Sequence, residues 1–252
     1  ECQICFDYAD KIPVEKVTRI PAAGNASNNA VGASRLGMKT AIFSILGDDD
    51  VGRDIHAYWK KQGISTRYVK FDKKRGTNYS TVLNYRGERT ILVFHEKRNY
   101  VLPKDLPAAK WVYYTSLGKG SESMHPAFIR YVKKSGATLC FQPGTHQLRL
   151  GIDAIQPLIA ASRVAIMNKE EAERLVGDES KSMTVLLKRL RAQGCAIAVI
   201  TDGPKGSYSY DGTDFLKLGI MDVPVIERTG CGDAYATAFV AALHYGKGVG
   251  DA

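Results

Sequence analysis

One stretch of the sequence combines residue types that could bind an anion and accept a proton. Gly230 and Gly232 flank Cys231, Asp233 follows directly, and an alanine-rich run continues through Ala242. Glycine favours a turn and alanine favours a helix, so the pattern predicts a helix that begins on a glycine turn. Backbone N–H groups in a first helical turn lack partners within the helix, and the helix dipole adds partial positive charge. The turn therefore predicts an anion site, with phosphate as the expected guest and Asp233 as a proton acceptor beside it.

Other interpretations of these residues are open at this point. The two glycines could only form a turn, with Asp233 as a favourable acidic residue in the first turn of the helix. Alternatively, Cys231 could be the nucleophile of a thiol enzyme, although no histidine lies at a motif-like distance to assist it.

The heptapeptide Thr-Gly-Cys-Gly-Asp-Ala-Tyr, residues 229–235, resembles the Gly-Ala-Gly-Asp signature of the ribokinase-like (PfkB-type) carbohydrate kinases. The resemblance implies ATP-dependent phosphorylation of a hydroxyl group. It makes Gly230, Cys231 and Gly232 the anion hole for the transferring phosphoryl group. It makes Asp233 the general base for the acceptor hydroxyl. Cys231 stands where the family usually has alanine, but its backbone N–H serves equally well.

A second candidate site lies at Asn168 to Glu171, directly after a short apolar run. An amide and a carboxylate between a strand end and a helix start could bind phosphate oxygens and a hydrated metal ion. On sequence alone, a helix cap with a capping-box glutamate is the more common explanation. The family has an Asn-x-x-Glu motif at this place, tied to Mg²⁺ and phosphate, and Asn168 and Glu171 match it.

Two further segments match the family at substrate positions. Gly24 and Asn28 resemble a glycine pair and an asparagine that hydrogen-bonds sugar hydroxyls, although alanine replaces one glycine here. A purely structural cap stays possible for Asn28. Thr201, Gly203 and Gly206 belong to a turn that resembles the family turn near the nucleotide phosphates and ribose. By itself that segment predicts only a β-turn.

The elements that must position these residues alternate along the chain. Repeated helices and short apolar strands predict an α/β fold, with a mostly parallel central sheet and helices on both faces. In such sheets, ligands bind at the carboxyl ends of the strands. A small-residue helix between Gly24 and Gly37 must pack closely against a neighbour. The predicted strands are 40–46, 64–71, 111–116, 137–142, 164–167, 196–201, 207–210 and 214–218, and the predicted helices include 51–62, 126–134, 152–161, 170–175 and 184–193.

Two β-rich runs interrupt this alternation. Residues 77–85 and 88–96 flank Arg86 and Gly87, which is a hairpin signal. We expect this hairpin to stand apart from the sheet. The resemblance implies a β lid over the sugar, to which residues from about 64 to 100 contribute, and often a homodimer contact.

Composition limits the alternatives. The 252 residues, 44% hydrophobic and 24% charged, fit a globular protein, and we expect one ribokinase-like domain over residues 1–252. Family members usually continue past the anion-hole helix, so the final part of the adenine pocket is expected outside this chain. Cys2 and Cys5 lack the second pair or the histidines of a zinc site.

The net charge of +9 indicates an anionic partner. Lysine and arginine are spread along the chain instead of forming one stripe with aromatic residues, so we expect a small anion such as a nucleotide and no nucleic acid. No run of about 18 apolar residues suggests a membrane span, and no secretory pattern begins the chain, so the cytoplasm is the expected location.

These observations lead to one hypothesis with two alternatives. The expected function is a kinase for a small sugar or sugar-like substrate, with ATP and Mg²⁺ as cofactors and a monovalent cation as a further candidate. Asp233, at a helix start, is expected to stay ionised and act as a weak base. A nucleoside could be the acceptor instead, or the chain could be a non-catalytic sugar or nucleotide sensor. Neither a P-loop nor a dinucleotide-binding glycine motif is present.

Overall fold

The computed structural model describes residues 3–85, 88–177, 182–224 and 229–252. Within these ranges, two short 3₁₀ turns occur at Ser121–Met124 and Gly203–Lys205. The helices are α1 Asn25–Arg35, α2 Asp50–Lys61, α3 His125–Ser135, α4 Thr145–Leu150, α5 Ile152–Ala160, α6 Lys169–Val176, α7 Met183–Ala192 and α8 Cys231–His244. The strands are β1 Ala41–Gly47, β2 Ser65–Asp72, β3 Tyr79–Tyr85, β4 Glu88–Phe94, β5 Trp111–Tyr114, β6 Thr138–Phe141, β7 Val164–Asn168, β8 Ile197–Thr201, β9 Ser207–Tyr210 and β10 Phe215–Leu218.

A six-stranded sheet forms the centre of the fold, in the order β10-β9-β8-β7-β6-β5. Strands β5 to β8 pair in parallel, whereas β9 and β10 add antiparallel pairs at one edge. The predicted mostly parallel central sheet is confirmed. Because neighbouring parallel strands all end at the same edge, the segments after β6, β7 and β8 are brought together there.

Alternate residues of the central strands pack on opposite faces of this sheet. One face packs against α8, and the other packs against α3, α5, α6 and α7, so helices cover both sides as predicted. The α8 side contains Cys140, Val164, Ile166, Ile197 and Val199, and the opposite side contains Leu139, Phe141, Ala165, Met167, Ala198 and Ile200.

The amino-terminal helices and strands form an adjoining layer. Strands β1 and β2 pair with each other in parallel, and Phe43 and Ile45 of β1 pack against the larger core. Asp49 caps α2, since its side chain accepts a hydrogen bond from the Gly52 N–H at 2.8 Å. Trp59 of α2 then reaches α1 by donating to the Ser27 hydroxyl at 2.9 Å.

Strands β3 and β4 form the predicted hairpin, a separate antiparallel pair in which Tyr79 lies opposite Phe94. The predicted turn at Arg86 and Gly87 lies outside the described residues. The expected lid range was 64–100. Strand β2 in that range pairs with β1, and the two hairpin strands are Tyr79–Tyr85 and Glu88–Phe94.

Both roots of the hairpin are tied to the adjoining layer. At one root, Thr77 donates its hydroxyl to Asp49 Oδ1 at 2.6 Å and its N–H to Asp49 Oδ2 at 2.7 Å. At the other root, the buried Arg98 guanidinium contacts Asp72 Oδ2 at 2.9 Å. These contacts fix where the hairpin leaves the body of the protein.

Helix α4 is a difference between the sequence-based expectation and the structure. Its six residues are too few to show a helical period, so no sequence pattern predicts it. Gln147 stabilises it from within, because its Oε1 accepts a hydrogen bond from the Gly144 N–H at 2.8 Å. Within the described ranges, every helix is too short or too polar to cross a lipid bilayer.

Helices α1 and α8 pack in close contact, as the small residues of both predict. Asn29 donates its side-chain amide to the Thr237 hydroxyl at 2.8 Å. A Cβ atom on Gly32 would lie only 2.9 Å from Thr237 Cγ2, so glycine permits this approach. The contact places the first turns of the two helices beside each other.

Candidate active site

The glycine turn opens α8 as predicted. Gly230 precedes the helix in a left-handed conformation with a φ of 82°, which favours glycine. The first helical hydrogen bond runs from the Ala234 N–H to the Gly230 carbonyl at 2.8 Å. The N–H groups of Cys231, Gly232 and Asp233 therefore precede the first i to i−4 bond of the helix. Cys231 and Gly232 are exposed, so this turn is open to an anion from solvent.

Asp233 lies beneath this turn with a relative exposure of only 9%. The Asn28 side-chain amide donates to its Oδ2 at 2.7 Å, and the Gln142 side chain lies close enough to stabilise the charged carboxylate. Burial raises the pKa of Asp233 above its ordinary value, while the polar side chains of Asn28 and Gln142 and the charge of Arg89 offset part of that rise.

Two opposing effects act on the charge of Asp233. The dipole at the start of α8 favours the ionised carboxylate. In the folded chain, burial outweighs the effects that lower the pKa of Asp233. The carboxylate therefore binds a proton more strongly than an exposed aspartate does.

Asn28 is in the first turn of α1 and contacts the catalytic candidate directly. Gly24 is the N-cap of α1, with a φ of 99°, and its carbonyl accepts from the Asn28 N–H at 2.9 Å. Asn28 is thus not the cap of this helix. The structure brings Asn28 to Asp233, 205 positions away in sequence.

Asn168 and Glu171 form the capping box of α6. The Glu171 N–H donates to Asn168 Oδ1 at 2.8 Å, and the Asn168 N–H donates to Glu171 Oε2 at 2.9 Å. Burial is the main cause that raises the pKa of Glu171, and the negative charges of Glu170 and Asp233 add to it. The capping interpretation therefore holds, and the Glu171 carboxylate also lies within electrostatic reach of Asp233.

The donor chemistry at this edge fits a hydrated Mg²⁺. Mg²⁺ is commonly bound through one or two carboxylates and phosphate oxygens while it keeps several waters. Glu171 is half-buried, and only its Oε2 is used in the capping box. Within the described ranges, no group of three or more histidine, cysteine, aspartate or glutamate residues is arranged to hold a metal ion. A bound Mg²⁺ would therefore need phosphate oxygens and waters as further ligands. Cys2 lies outside the described residues, and Cys5 is exposed.

The turn after β8 forms a tight connection to β9. Thr201 pairs with Asn168 of β7 on one side and Ser207 of β9 on the other. The Asp202 N–H donates to the Gly206 carbonyl at 2.8 Å. Gly206 has a φ of 89°, and a Cβ atom there would lie 2.0 Å from the Leu218 carbonyl oxygen. The predicted turn is therefore present, at the same sheet edge as Asn168.

A cavity of about 110 Å³ lies beside α8 on the side of β9 and β10. Its walls combine strand residues, one face of α8 and the segment that follows this helix. The lining includes Tyr208, Leu216, Leu218, Tyr235, Phe239 and Val249.

Three residues near the site were not identified in the sequence. Arg89 on the hairpin donates to the Thr229 hydroxyl at 2.6 Å, directly before the glycine turn. Gln142 follows β6, and Tyr113 of β5 donates to it. Gln142 had a usable signal, since it is polar at the carboxyl end of a parallel strand. Nothing in the local sequence distinguishes Arg89 or Tyr113.

The sequence from residue 4 to residue 252 matches the model of the pfkB family carbohydrate kinases. The chain belongs to this family. As a family member, this carbohydrate kinase is a phosphotransferase with an alcohol group as acceptor.

Relatives and solved structures agree with that assignment. The chain is 27% identical to the 5-dehydro-2-deoxygluconokinase of Shouchella clausii, over 91% of this chain and 76% of the relative. It is 28% identical to the aminoimidazole riboside kinase of Salmonella typhimurium, over 93% and 77%. Its fold resembles the fructokinase of Vibrio cholerae O395 solved with fructose, ADP and a calcium ion, with a TM-score of 0.78, 22% identity and coverage of 91% and 80%. The fold is therefore ribokinase-like, as expected.

Proposed function

We propose that this kinase transfers the terminal phosphoryl group of ATP to a hydroxyl of a small sugar or sugar-like substrate, with Asp233 as the general base. The observation that carries the proposal is the buried Asp233 carboxylate, held by Asn28 at 2.7 Å beneath an exposed glycine turn at the start of α8. A proton acceptor and an anion-binding helix start thus lie side by side.

Asp233 would accept the proton of the acceptor hydroxyl. The hydroxyl oxygen forms its bond to the terminal phosphorus, the bond from that phosphorus to the bridging oxygen breaks, and ADP leaves. The transition state of such transfers is loose, so the hydroxyl becomes acidic late and a carboxylate suffices as base. The raised pKa of Asp233 makes it a stronger base than an exposed aspartate.

The glycine turn would stabilise the charge on the transferring group. Backbone N–H groups of Gly230, Cys231 and Gly232 are the candidates for the anion hole, with the dipole of α8 adding to their effect. A single donor of this kind is typically worth about 3 to 4 kcal/mol in the transition state. The side chain of Cys231 has no part in this mechanism.

The nucleotide and its metal ion would bind next to Asp233, along the edge of the central sheet where the parallel strands end. Asn168 and Glu171 would hold a hydrated Mg²⁺, which when bound neutralises phosphate charge. Thr201, Gly203 and Gly206 would lie near the phosphates and ribose. Because the reaction consumes ATP, we expect the protein to work in the cytoplasm. A monovalent cation remains a further candidate cofactor.

Gly24 and Asn28 are the candidates for contacting the acceptor, since Asn28 directly adjoins the base. The similar proteins are named for a deoxygluconate, a riboside and fructose. A sugar is therefore the first expectation for the acceptor. A nucleoside is the second, favoured by the 28% identity to the riboside kinase.

The hairpin would act as the lid and as a subunit contact. Arg89 lies on the face of the hairpin that reaches Thr229, as its 2.6 Å hydrogen bond requires. The opposite face carries Tyr79, Leu92 and Phe94, all more than half exposed. Exposed apolar sheet faces of this kind commonly mark an interaction site, and we propose a second copy of this chain as the partner.

The experiment that tests the function is a screen for ATP consumption with sugars, sugar phosphates and nucleosides as acceptors. The proposal expects ADP to form only with an accepted compound, together with an equal amount of phosphorylated product. A protein that binds ATP and a sugar but forms no product would support the non-catalytic sensor instead. Turnover that depends on the Cys231 thiol, and is lost in Cys231→Ala, would support the thiol enzyme.

A further inference from the structure

Two side chains lead from the central sheet to the Asp233 carboxylate. Tyr113 of β5 donates its phenolic O–H to Gln142 Oε1, and the Gln142 side chain lies near enough to Asp233 to favour its charged form. A glutamine amide has one accepting oxygen and one donating NH₂ group. Since the oxygen accepts from Tyr113, the NH₂ group is the part that faces the carboxylate.

The backbone fixes both partners of this connection. Gln142 follows β6 directly, and its N–H donates to the Tyr114 carbonyl at 3.0 Å. Tyr113 belongs to the side of the sheet that α8 covers, and Asp233 lies in the first turn of that helix. Burial raises the pKa of Tyr113 well above its ordinary value, so the phenol keeps its proton and remains a donor.

Other charged and titratable groups face Asp233 from the surrounding elements. Arg89 on the hairpin contributes positive charge, and Glu171 on α6 contributes negative charge. Asn28 on α1 is the neutral donor on the opposite helix. Gln142 is therefore the residue that presents an amide NH₂ group to the Asp233 carboxylate from the sheet. The bond from Tyr113 to the Gln142 oxygen sets the orientation of that amide.

We propose that Gln142 and Tyr113 are positioning residues for Asp233, an inference that rests on its proposed role as general base. Gln142 holds the carboxylate in one orientation toward the acceptor hydroxyl and favours its ionised form. Tyr113 prevents the Gln142 amide from turning its oxygen toward the carboxylate, where two acceptors would oppose each other. Neither residue is assigned a contact with the substrate.

Removing this support should change the titration and the orientation of the Asp233 carboxylate in a measurable way. A donor to the charged form lowers the pKa of a carboxyl group, so its loss raises that pKa. The acid limb of the kcat/KM profile should therefore move to higher pH, least in Tyr113→Phe, more in Gln142→Leu, and most in Gln142→Glu, which adds a like charge. At neutral pH, kcat should fall about tenfold in Gln142→Leu, the scale of one hydrogen bond to a charged group, and less in Tyr113→Phe, with KM for ATP nearly unchanged.

Tyr114→Phe is the matched control, because it removes a phenolic O–H from the next residue of the same strand. Within the described ranges, the Tyr114 hydroxyl has no hydrogen-bond partner, and the residue belongs to the opposite side of the sheet from α8. Its pH profile and kcat should match the wild-type values. Thermal midpoints of all variants separate loss of folded protein from loss of function.

A second measurement does not depend on turnover. Titration of ¹³C-labelled aspartate by NMR gives the pKa of Asp233, with its signal assigned by its absence in Asp233→Asn. A higher Asp233 pKa in Tyr113→Phe and Gln142→Leu than in wild type and Tyr114→Phe supports the inference. Equal pKa values and unchanged pH profiles in all four proteins would overturn it. A fully active Asp233→Asn protein would instead overturn the proposed base, and the NMR titration would still decide whether Gln142 supports the carboxylate.

Discussion

At the scale of single residues, Asp233 has to be both buried and ionised. Burial favours its protonated form, so the folded-state pKa is raised. Protonation of Asp233 therefore stabilises the folded state. This stabilisation is fully present at a pH below the ordinary pKa of an aspartate, and it is lost as the pH rises through the raised pKa of the folded state. At neutral pH the ionised carboxylate therefore costs stability, which is a common property of catalytic groups.

The same scale decides whether Glu171 has a role beyond its capping box. Glu171→Gln keeps a carbonyl oxygen that can accept from the Asn168 N–H, so α6 should remain capped. It loses the charge that would attract a hydrated Mg²⁺. We expect the Mg²⁺ concentration at half-maximal turnover to rise several-fold, with a thermal midpoint close to wild type.

Glu170→Gln provides the matched control for this measurement. Glu170 is an exposed acid in the same helical turn, outside the capping box. Its Mg²⁺ titration should resemble that of the wild type. Identical titrations for both variants and the wild type would leave Glu171 with its capping function alone.

The site residues that could be predicted from the sequence are those whose neighbours in the chain carry the signal. The glycine turn, Asp233 and the Asn168 to Glu171 pair each lie in a local motif at a helix start. Gln142, Tyr113 and Arg89 meet Asp233 or its turn only after folding. Of the three, only Gln142, a polar residue directly after a parallel strand, has a signal in its local sequence. The burial of Asp233, which raises its pKa, likewise depends on packing that sequence spacing does not describe.

At the scale of elements, the site depends on how closely α1 and α8 approach. Gly32→Val should force the helices apart, since even a Cβ atom would lie 2.9 Å from Thr237 Cγ2. Overpacking of this kind costs about 1 to 3 kcal/mol of unfolding free energy. Because Asn28 and Asp233 sit one turn before this contact, we expect turnover to fall beyond the loss of folded protein. Thermal unfolding and turnover on one preparation measure both effects.

Ala238→Val controls for the helix propensity of valine, since Ala238 is an exposed position of α8. It should lose a few tenths of a kcal/mol and keep its turnover. If Gly32→Val behaves like Ala238→Val, the spacing of the two helices does not set the geometry of the site.

The elements themselves were largely predictable. Long apolar or amphipathic runs gave the central strands and α2, α3, α5 and α7, because burial imposes their periods. Helix α4 was not predicted, since it is short and depends on the tertiary position of Gln147, whose amide also donates to the Thr115 carbonyl at 3.0 Å. The separate pairing of β1 with β2 follows from strand positions in space and has no signature in either strand.

At the scale of the whole molecule, the hairpin connects the site to a proposed second subunit. Leu92 is 56% exposed on the face opposite Arg89. Leu92→Lys should place a charge in the proposed contact and shift the protein from dimer to monomer, because burying an unpaired charge is costly. Sedimentation equilibrium over a range of protein concentrations measures this change.

Leu36→Lys serves as the control, because Leu36 is an exposed leucine at the end of α1, away from the hairpin. It should keep the oligomeric state of the wild type. A wild-type chain that stays monomeric at all concentrations would contradict the proposed contact.

The central claim, that Asp233 is the base of an ATP-dependent kinase, is tested most directly by turnover of Asp233→Asn with an accepted sugar. Asparagine keeps the shape and can still accept from Asn28, but it cannot take a proton. General-base catalysis is typically worth about 10²- to 10⁴-fold, and turnover should fall by that amount while ATP affinity stays equal or increases. Turnover within a few-fold of wild type, measured per folded molecule, would contradict the account.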